Sequence, residues 1–301
     1  MIGGTTVGGL SDMAWDPRRH AWASTVDNHT TDPSRIWFWS DPAHAHVVGA
    51  PLVLKKPDGT PYDGLTADNE SLAVLPDGEY LVGSETEPSI RVFGRDGVQR
   101  ASLPVPARFV VAPAGQSTAN ATFEGLTVTD GGNRIIASME GPLSGDTDAT
   151  LHRFLTYDKD RHGRWSLAKE TAYRTAPGNR VAEVQAYGRD SVLVMEAAFT
   201  AETGNTISLY AVPKFSASPD ITKVADAGKR PSVRKTLVAD LVKCPTLGAT
   251  AKEFQTNPLM DNYEGMAIVP GGTADTVHVI SDDNFGATQI TRVLTLSARL
   301  P

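Results

Sequence analysis

Two stretches of this chain are built on one template. Residues 70–85 read ESLAVLPDGEYLVGSE and residues 124–140 read EGLTVTDGGNRIIASME. Each is an acid, a small residue, an apolar run, a turn bearing Asp-Gly, a second apolar run and a closing acid. A third copy runs from Glu264 through Gly271-Gly272 to Asp282-Asp283, and a fourth from Glu183 through Gly188-Arg189-Asp190 to Glu196. The most divergent runs from Gly9 and Asp12 through Asp16-Pro17 to Asp27. Short β-rich runs joined by a Gly- or Asp-bearing turn are β-hairpins, and self-similarity at a fixed spacing points to a repeat architecture.

Further strand-like material follows each hairpin: Ser89–Phe93 and Gln99–Leu103 after the copy at Glu70, Leu151–Tyr157 and Trp165–Tyr173 after the copy at Glu124, and Ile207–Val212 and Val233–Leu241 after the copy at Glu183. Four strands per unit make a propeller blade. The fold expected is all-β, a single β-propeller of four-stranded blades over residues 1–301, with five blades and six as the alternative. The sixth would hide between Phe215 and Pro258. The last unit has three clear strands, ending at Thr288–Leu296, and the segment around Thr5-Thr6-Val7 is the candidate for its fourth. Closing the ring this way removes exposed sheet edges. The polar stretch Ser216–Arg234, with Pro219 and Pro231, reads as a long loop inside the fourth unit.

The first and last residues of a hairpin lie at the same end. The repeat puts an acid at both, pairing Glu70 with Glu85, Glu124 with Glu140, Glu183 with Glu196, Glu264 with Asp282 and Asp283, and Asp12 with Asp27. The first strand of a blade lines the central channel, so these carboxylates are expected at one mouth of it. Two carboxylates ~5 Å apart repel by about 3 kcal/mol at an effective dielectric of ~20. A group of them needs a cation, shared protons, or N–H donors, and hard oxygen ligands in number favour Ca²⁺ over zinc or copper. Asp68-Asn69 and Asp283-Asn284 add oxygens near the same mouth. The competing reading of a repeated Glu is architectural, an acceptor for backbone N–H groups of the next blade. Few basic residues fall near the expected mouth. Arg91 and Arg292 are the nearest in sequence, both within strands.

Other chemistry is sparse. The formal net charge of −7 argues against nucleic acid or anionic lipid, and no run of about 18 apolar residues exists to span a membrane. Cys244 is the only cysteine, which excludes an intrachain disulfide and a cysteine-rich zinc site. There is no Gly-x-Ser-x-Gly elbow, His-Glu-x-x-His, P-loop or dinucleotide fingerprint. His44 and His46 read as surface residues, His278 as core, and Trp37 and Trp39 as blade packing. The start at Met1-Ile2-Gly3-Gly4 has no basic or apolar region of a signal peptide, which leaves a cytosolic chain or one trimmed of its export signal.

The sequence resembles the phytase-like propeller family described as having esterase-like activity of phytase. The resemblance rests on Gly9-Leu10-Ser11, Asp68-Asn69-Glu70-Ser71, Ser84-Glu85, Phe123-Glu124-Gly125-Leu126, Met139-Glu140, the run from Asn257 to Met266, and Ser281-Asp282-Asp283-Asn284-Phe285. It covers Gly8 to Leu296. It implies a bacterial, secreted β-propeller that hydrolyses esters or phosphate esters. It also implies an Arg after the acid that closes the fourth hairpin, where this chain has Ala197 after Glu196. The expected function is a Ca²⁺-dependent hydrolase of small-molecule phosphate or carboxylic esters, working as a monomer. Glu70, Glu85, Glu140, Asp282 and Asp283 are the candidate metal ligands, and Glu124 and Glu264 the candidate catalytic acids or bases. The alternatives are a non-catalytic propeller that binds a ligand or structural ion at its acidic mouth, and a Ca²⁺-dependent lactonase.

Overall fold

The structure, a computed structural model, describes residues 2–301. Blade 1 contains β1 (Ala14–Asp16), β2 (Ala21–Thr25), β3 (Arg35–Trp39) and β4 (Leu52–Val53). Blade 2 contains β5 (Asn69–Val74), β6 (Tyr80–Ser84), β7 (Ser89–Phe93) and β8 (Gln99–Ser102). Blade 3 contains β9 (Phe123–Thr129), β10 (Arg134–Met139), β11 (Leu151–Lys159) and β12 (Trp165–Arg174). Blade 4 contains β13 (Arg180–Tyr187), β14 (Ser191–Thr200), β15 (Gly204–Pro213) and β16 (Thr236–Asp240), and blade 5 contains β17 (Tyr263–Val269), β18 (Asp275–Ser281) and β19 (Arg292–Ala298). Every sheet is antiparallel and pairs its strands in chain order. The first strands touch in a closed circuit, β1 to β5, β5 to β9, β9 to β13, β13 to β17 and β17 to β1. The chain is a five-bladed β-propeller.

Two expectations are corrected. The stretch from Phe215 to Pro258 forms no sixth blade. It supplies β16 to blade 4. Before β16 it straps the outside of blade 3, where Ile221 N–H donates to Glu170 O and Val233 N–H to Ala172 O, and after β16 Leu241, Val242 and Ala249 pack against blades 4 and 5. The segment Thr5–Val7 does not pair as a fourth strand of blade 5. Val7 instead packs with Leu10, Trp37, Trp39, Ile280 and Val293 in an apolar cluster between blades 1 and 5. The ring closes there through side chains, and through Gly9 N–H donating to Asp283 Oδ1 at 2.8 Å.

Flat faces of alternating apolar residues pack blade against blade. One cluster joins Leu81, Ile90 and Val92 of blade 2 to Leu126, Ile135 and Leu155 of blade 3, and another joins Leu193, Met195 and Leu209 of blade 4 to Met266, Val277 and Val279 of blade 5. At the axis the first strands approach too closely for side chains at two positions. A Cβ on Gly125 would lie 2.6 Å from Val184 N, and one on Gly265 would lie 2.5 Å from Asp12 Cα. These glycines let five strands converge.

Gly265→Ala should therefore lower stability by about 3 kcal/mol, as overpacking against backbone does. Gly272→Ala, at a turn with open space around it, should change stability by less than about 0.5 kcal/mol. Equal effects in urea titration would contradict the tight axis.

A carboxylate-lined cavity at one mouth of the channel

The acids reach the axis through β-bulges. In blade 2, Asn69 pairs with Ser84 and Ser71 with Gly83, so Glu70 has no partner across the ladder. Glu124 is skipped in the same way between Phe123 and Gly125, and Glu264 between Tyr263 and Gly265. An extra residue in one strand turns its side chain out of the ladder, and here all three turn toward a cavity of about 250 Å³. The closing acids arrive from the second strands. Their N–H groups donate across the hairpin in one repeated pattern, Asp27 to Gly9 O, Glu85 to Asp68 O, Glu140 to Thr122 O and Asp282 to Asn262 O.

This common frame shows which expected residues meet. Glu70, Glu85, Glu124, Glu140 and Glu264 all line the cavity, together with Asp27, His29, Asn120, Arg180, Asn262 and Asn284. Asp282 is fully buried behind it, its Oδ1 accepting from Asn284 N–H at 2.7 Å and its Oδ2 unpartnered. Asp283 is turned away. Its Oδ1 accepts from Gly9 N–H and Phe285 N–H, which is an architectural role.

Asp12 and Glu183 are not members of the ring, and pairing them with Asp27 and Glu196 is off by one residue. In blade 4 the unpaired residue is Ala182, and Glu183 stands where blades 3 and 5 have Gly125 and Gly265. Asp12 holds the same place in blade 1, while Ser11 takes the ring position and its Oγ–H donates to Glu70 Oε2 at 2.5 Å. Both carboxyls lie on the axis below the cavity. Glu183 Oε1 accepts from Leu126 N–H at 3.1 Å and from Val184 N–H, while Asp12 accepts from Leu72 N–H at 2.7 Å and Met13 N–H at 2.6 Å. The two are also in hydrogen-bond contact with each other. Burial pushes Asp12 up to about 8 and, with Asp12 beside it, raises Glu183 well above the carboxylate range. Glu196 is buried away from the cavity, its carboxylate held by Tyr173 O–H at 2.6 Å, Ala176 N–H, Asn179 Nδ2 and Lys235.

The basic residue absent from the sequence reading is Arg180. Its guanidinium donates to Glu124 Oε1 at 2.7 Å, Glu140 Oε1 at 3.1 Å, Glu264 Oε1 at 2.9 Å and Asn262 Oδ1 at 3.0 Å. Arg180 pairs across the ladder with Ala197. The charge expected after Glu196 is thus delivered from the opposite strand. Burial works against the cation, yet Glu264, Glu140 and Glu124 together raise its pKa. Arg91 and Arg292 serve elsewhere, Arg91 on Glu87 and Arg292 on the carbonyls of Pro258, Leu259 and Thr250.

On the opposite side of the cavity no fixed cation stands. Asp27 and Asp68 are in carboxyl-to-carboxyl contact, and Asp27 Oδ1 and Asp68 Oδ1 are buried without a hydrogen-bond donor. His29, which sequence reasoning passed over, reaches in from an exposed loop, Nδ1 lying 3.2 Å from Asp68 Oδ2 and Nε2 lying 3.3 Å from Asp27 Oδ1. Ligand atoms of Asp68, Glu70 and Glu85 lie within 4.8 Å of one another, as do those of Asp27, His29 and Asp68, and those of Glu85, Glu124 and Glu140. Burial and then Asp68 push Asp27 up to about 10, and burial and then Glu140 push Glu85 up to about 8. Glu70 and Glu124 are raised well above the usual range, again first by burial. Glu85 also has an architectural bond, Oε1 accepting from Thr122 N–H at 2.8 Å.

The remaining candidates lie outside the cavity. His44 and His46 are exposed, Cys244 is a half-buried free thiol, and His278 packs edge-on against Trp22, with its Nδ1 2.9 Å from Thr295 Oγ1. No helix among the described residues is long and apolar enough to cross a membrane.

Fold and cavity together define a five-bladed propeller with an acidic pocket at the axis. The chain belongs to the phytase-like family, described as esterase-like activity of phytase, whose model matches residues 5–285. No curated protein matches it. Among solved structures it is similar to the PQQ-bound aldose sugar dehydrogenase of Streptomyces coelicolor, with 14 % identity over 99 % of this chain and 82 % of that one and a TM-score of 0.47. It is also similar to a gluconolactonase of Xanthomonas campestris, with 14 % identity over 98 % of this chain and 77 % of that one and a TM-score of 0.45. At such identities and scores the likeness carries no argument about chemistry.

The axial pair gives a pH test. The folded chain keeps a proton that the unfolded chain releases between pH 3.8 and about 8, so stability falls as pH rises through that window. In Glu183→Gln the amide oxygen can still accept from Leu126 and Val184, and the carboxyl that burial and Asp12 raise is gone. The variant should lose stability less steeply between these pH values. An unchanged slope in urea titrations would contradict the coupling of the two carboxyls.

Proposed function

We propose that the cavity binds a hard divalent cation, Ca²⁺ by its donor set, and hydrolyses small carboxylic or phosphate esters. The observation that carries this reading is the pair of buried oxygens, Asp27 Oδ1 and Asp68 Oδ1, that make no hydrogen bond although they sit beside other carboxylates, the exposed His29 ring being the nearest basic group to Asp27 Oδ1 at 3.3 Å. Buried acceptors without a donor are rare in native proteins and call for an ion, a water or a proton. The groups around them, Asp27, Asp68, Glu70 and Glu85, offer only oxygen, which suits calcium; His29 at the rim is the one nitrogen. When bound, such an ion would polarise the ester or phosphoryl oxygen and make a water more acidic.

The chain's own residues do the rest. Asp27, Asp68, Glu70 and Glu85 would hold the ion. Glu124, raised by burial first and then by Glu140 and Glu85, keeps a proton it can pass to a leaving alkoxide. Glu264, fixed by Arg180 and Asn262 Nδ2, is placed to take a proton at the other side of the pocket. The Arg180 guanidinium, whose side chain keeps 26 % exposure, could meet an anionic part of a substrate, with His29 the other basic group of the cavity lining. A pocket of this size admits a small ester far more readily than a polyphosphate such as phytate. Export, which the family resemblance implies, would put a monomeric chain where calcium is abundant and sites of modest affinity fill.

Turnover of a panel of nitrophenyl esters and phosphates should be lost with chelator and restored by Ca²⁺. Glu124→Gln should lower kcat by about 100-fold or more, the usual worth of a positioned proton donor. Full activity and full metal binding in both Glu124→Gln and Glu264→Gln would overturn the assignment. Asp68→Asn should have effects of opposite sign. It should raise metal-free stability by on the order of 1 kcal/mol, since one pKa unit of relieved repulsion is worth about that. It should also abolish the Ca²⁺-induced rise in Tm. If the metal-free protein does not gain stability, the Asp27–Asp68 conflict is not real. Absence of turnover with an intact Ca²⁺-induced Tm shift would favour the non-catalytic alternative, in which the ion is structural.

A further inference from the structure

Blade 4 is the exception in the ring. Blades 1, 2, 3 and 5 each send acids to the cavity, whereas the closing place of blade 4 is taken by Ala197, opposite Arg180, and Glu196, one residue earlier, is held outside the cavity by Lys235 and Tyr173. At the ring position stands Ala182, and two residues before it, where blade 2 has Asp68, stands Arg180. Blade 4 thus contributes a cation where its neighbours contribute carboxylates.

The guanidinium occupies a definite half of the pocket. It bridges Glu124 and Glu140 of blade 3 to Glu264 of blade 5. Glu124 and Glu140 also belong, with Glu85, to a triad whose oxygens lie within 4.8 Å of one another. Buried carboxylate oxygens without a hydrogen bond include Asp27 Oδ1 and Asp68 Oδ1 of blades 1 and 2 and Asp282 Oδ2 of blade 5. Arg180 donates to none of these three carboxylates, whereas each carboxylate it does reach has it as a donor.

We infer that Arg180 is the resident cation of the ring: it fills the Glu85–Glu124–Glu140 place that a divalent ion would otherwise take, and so confines metal to the side of Asp27 and Asp68. The inference deepens the proposed function and shares its premise that the cavity takes hard cations. An arginine suits this task because its planar fork serves several carboxylates at once and stays charged at any working pH. It also leaves Glu124 and Glu264 free of metal, which their proton-transfer roles require. Arg180 acts through these acids as a positioning residue.

The test is to count Ca²⁺ per chain, by equilibrium dialysis and elemental analysis, in the full-length protein and in Arg180→Met and Arg180→Lys. Arg180→Met should bind one more ion than the wild type, and Glu140→Gln in that background should remove it. Arg180→Lys, which keeps the charge, should bind the wild-type number. An equal count in wild type and Arg180→Met overturns the inference and leaves the proposed metal site standing. No ion in the wild type but one in Arg180→Met does the reverse. No ion in either overturns both. Removing one partner of a half-buried ion cluster is destabilising. Should Arg180→Met fail to fold, Arg180→Met/Glu264→Gln removes one charge of each sign and keeps the triad. Its Tm should rise more with Ca²⁺ than that of the wild type, and an equal or smaller rise overturns the inference.

Discussion

Repulsion among buried carboxylates governs this molecule. Five first strands converge so tightly that glycine is needed at two positions on the axis, and bulges just above turn acidic side chains into the space that remains. At ~5 Å and an effective dielectric of ~20, each charged pair would cost about 3 kcal/mol. The structure meets that cost in three ways in three places. Asp12 and Glu183 are held on the axis by backbone N–H donors, and burial raises the pKa of both. Glu124, Glu140 and Glu264 share Arg180. Asp27 and Asp68 have each other and a partly exposed histidine at their rim, and each keeps one buried oxygen without a hydrogen bond. That third place is the one on which the proposed metal site rests.

The division also gives the pocket a direction. Asp27, Asp68, Glu70 and Glu85 lie toward blades 1 and 2, Glu124, Glu140, Glu264 and the guanidinium toward blades 3, 4 and 5. On the proposed function, a substrate lying across the pocket would meet the ion on one side and the proton-transferring acids on the other. Near-fivefold repetition supplies the framework, and the departure of one blade from the repeat makes the two sides chemically different.

Much of this is legible in the residue pattern. The recurrence of acid, small residue, apolar run, Asp-Gly turn and closing acid is enough to give blades, their number and the shared mouth, because hairpin geometry leaves little choice about where the two ends lie. Glu70, Glu85, Glu124, Glu140 and Glu264 accordingly meet in one cavity. The failures share a cause. Bulge position is a one-residue matter that the pattern does not encode, so Asp12 and Glu183 look like ring members although they lie one step along, in the layer where other blades have Gly or Ser. Asp283 and Asn284 look like paired ligands, but the loop turns Asp283 toward Gly9. Arg180 was hidden because it stands before the repeat unit, and its relation to Ala197 is visible only in strand register. Glu196 misleads for the same reason, since it stands one residue before the closing place, which Ala197 holds opposite Arg180. His29 follows Asp27 by two residues in a polar loop, with no periodicity to mark it.

The account stands on a cation between blades 1 and 2. The most direct measurement is anomalous X-ray diffraction from crystals of the full chain grown with a calcium-like scatterer such as Mn²⁺ or Tb³⁺. A peak within bonding distance of Asp27 and Asp68, on the side of the cavity away from Arg180, is the expected result. A cavity with no peak at saturating ion, or with Asp27 and Asp68 simply bridged by a proton in the presence of that ion, would contradict it.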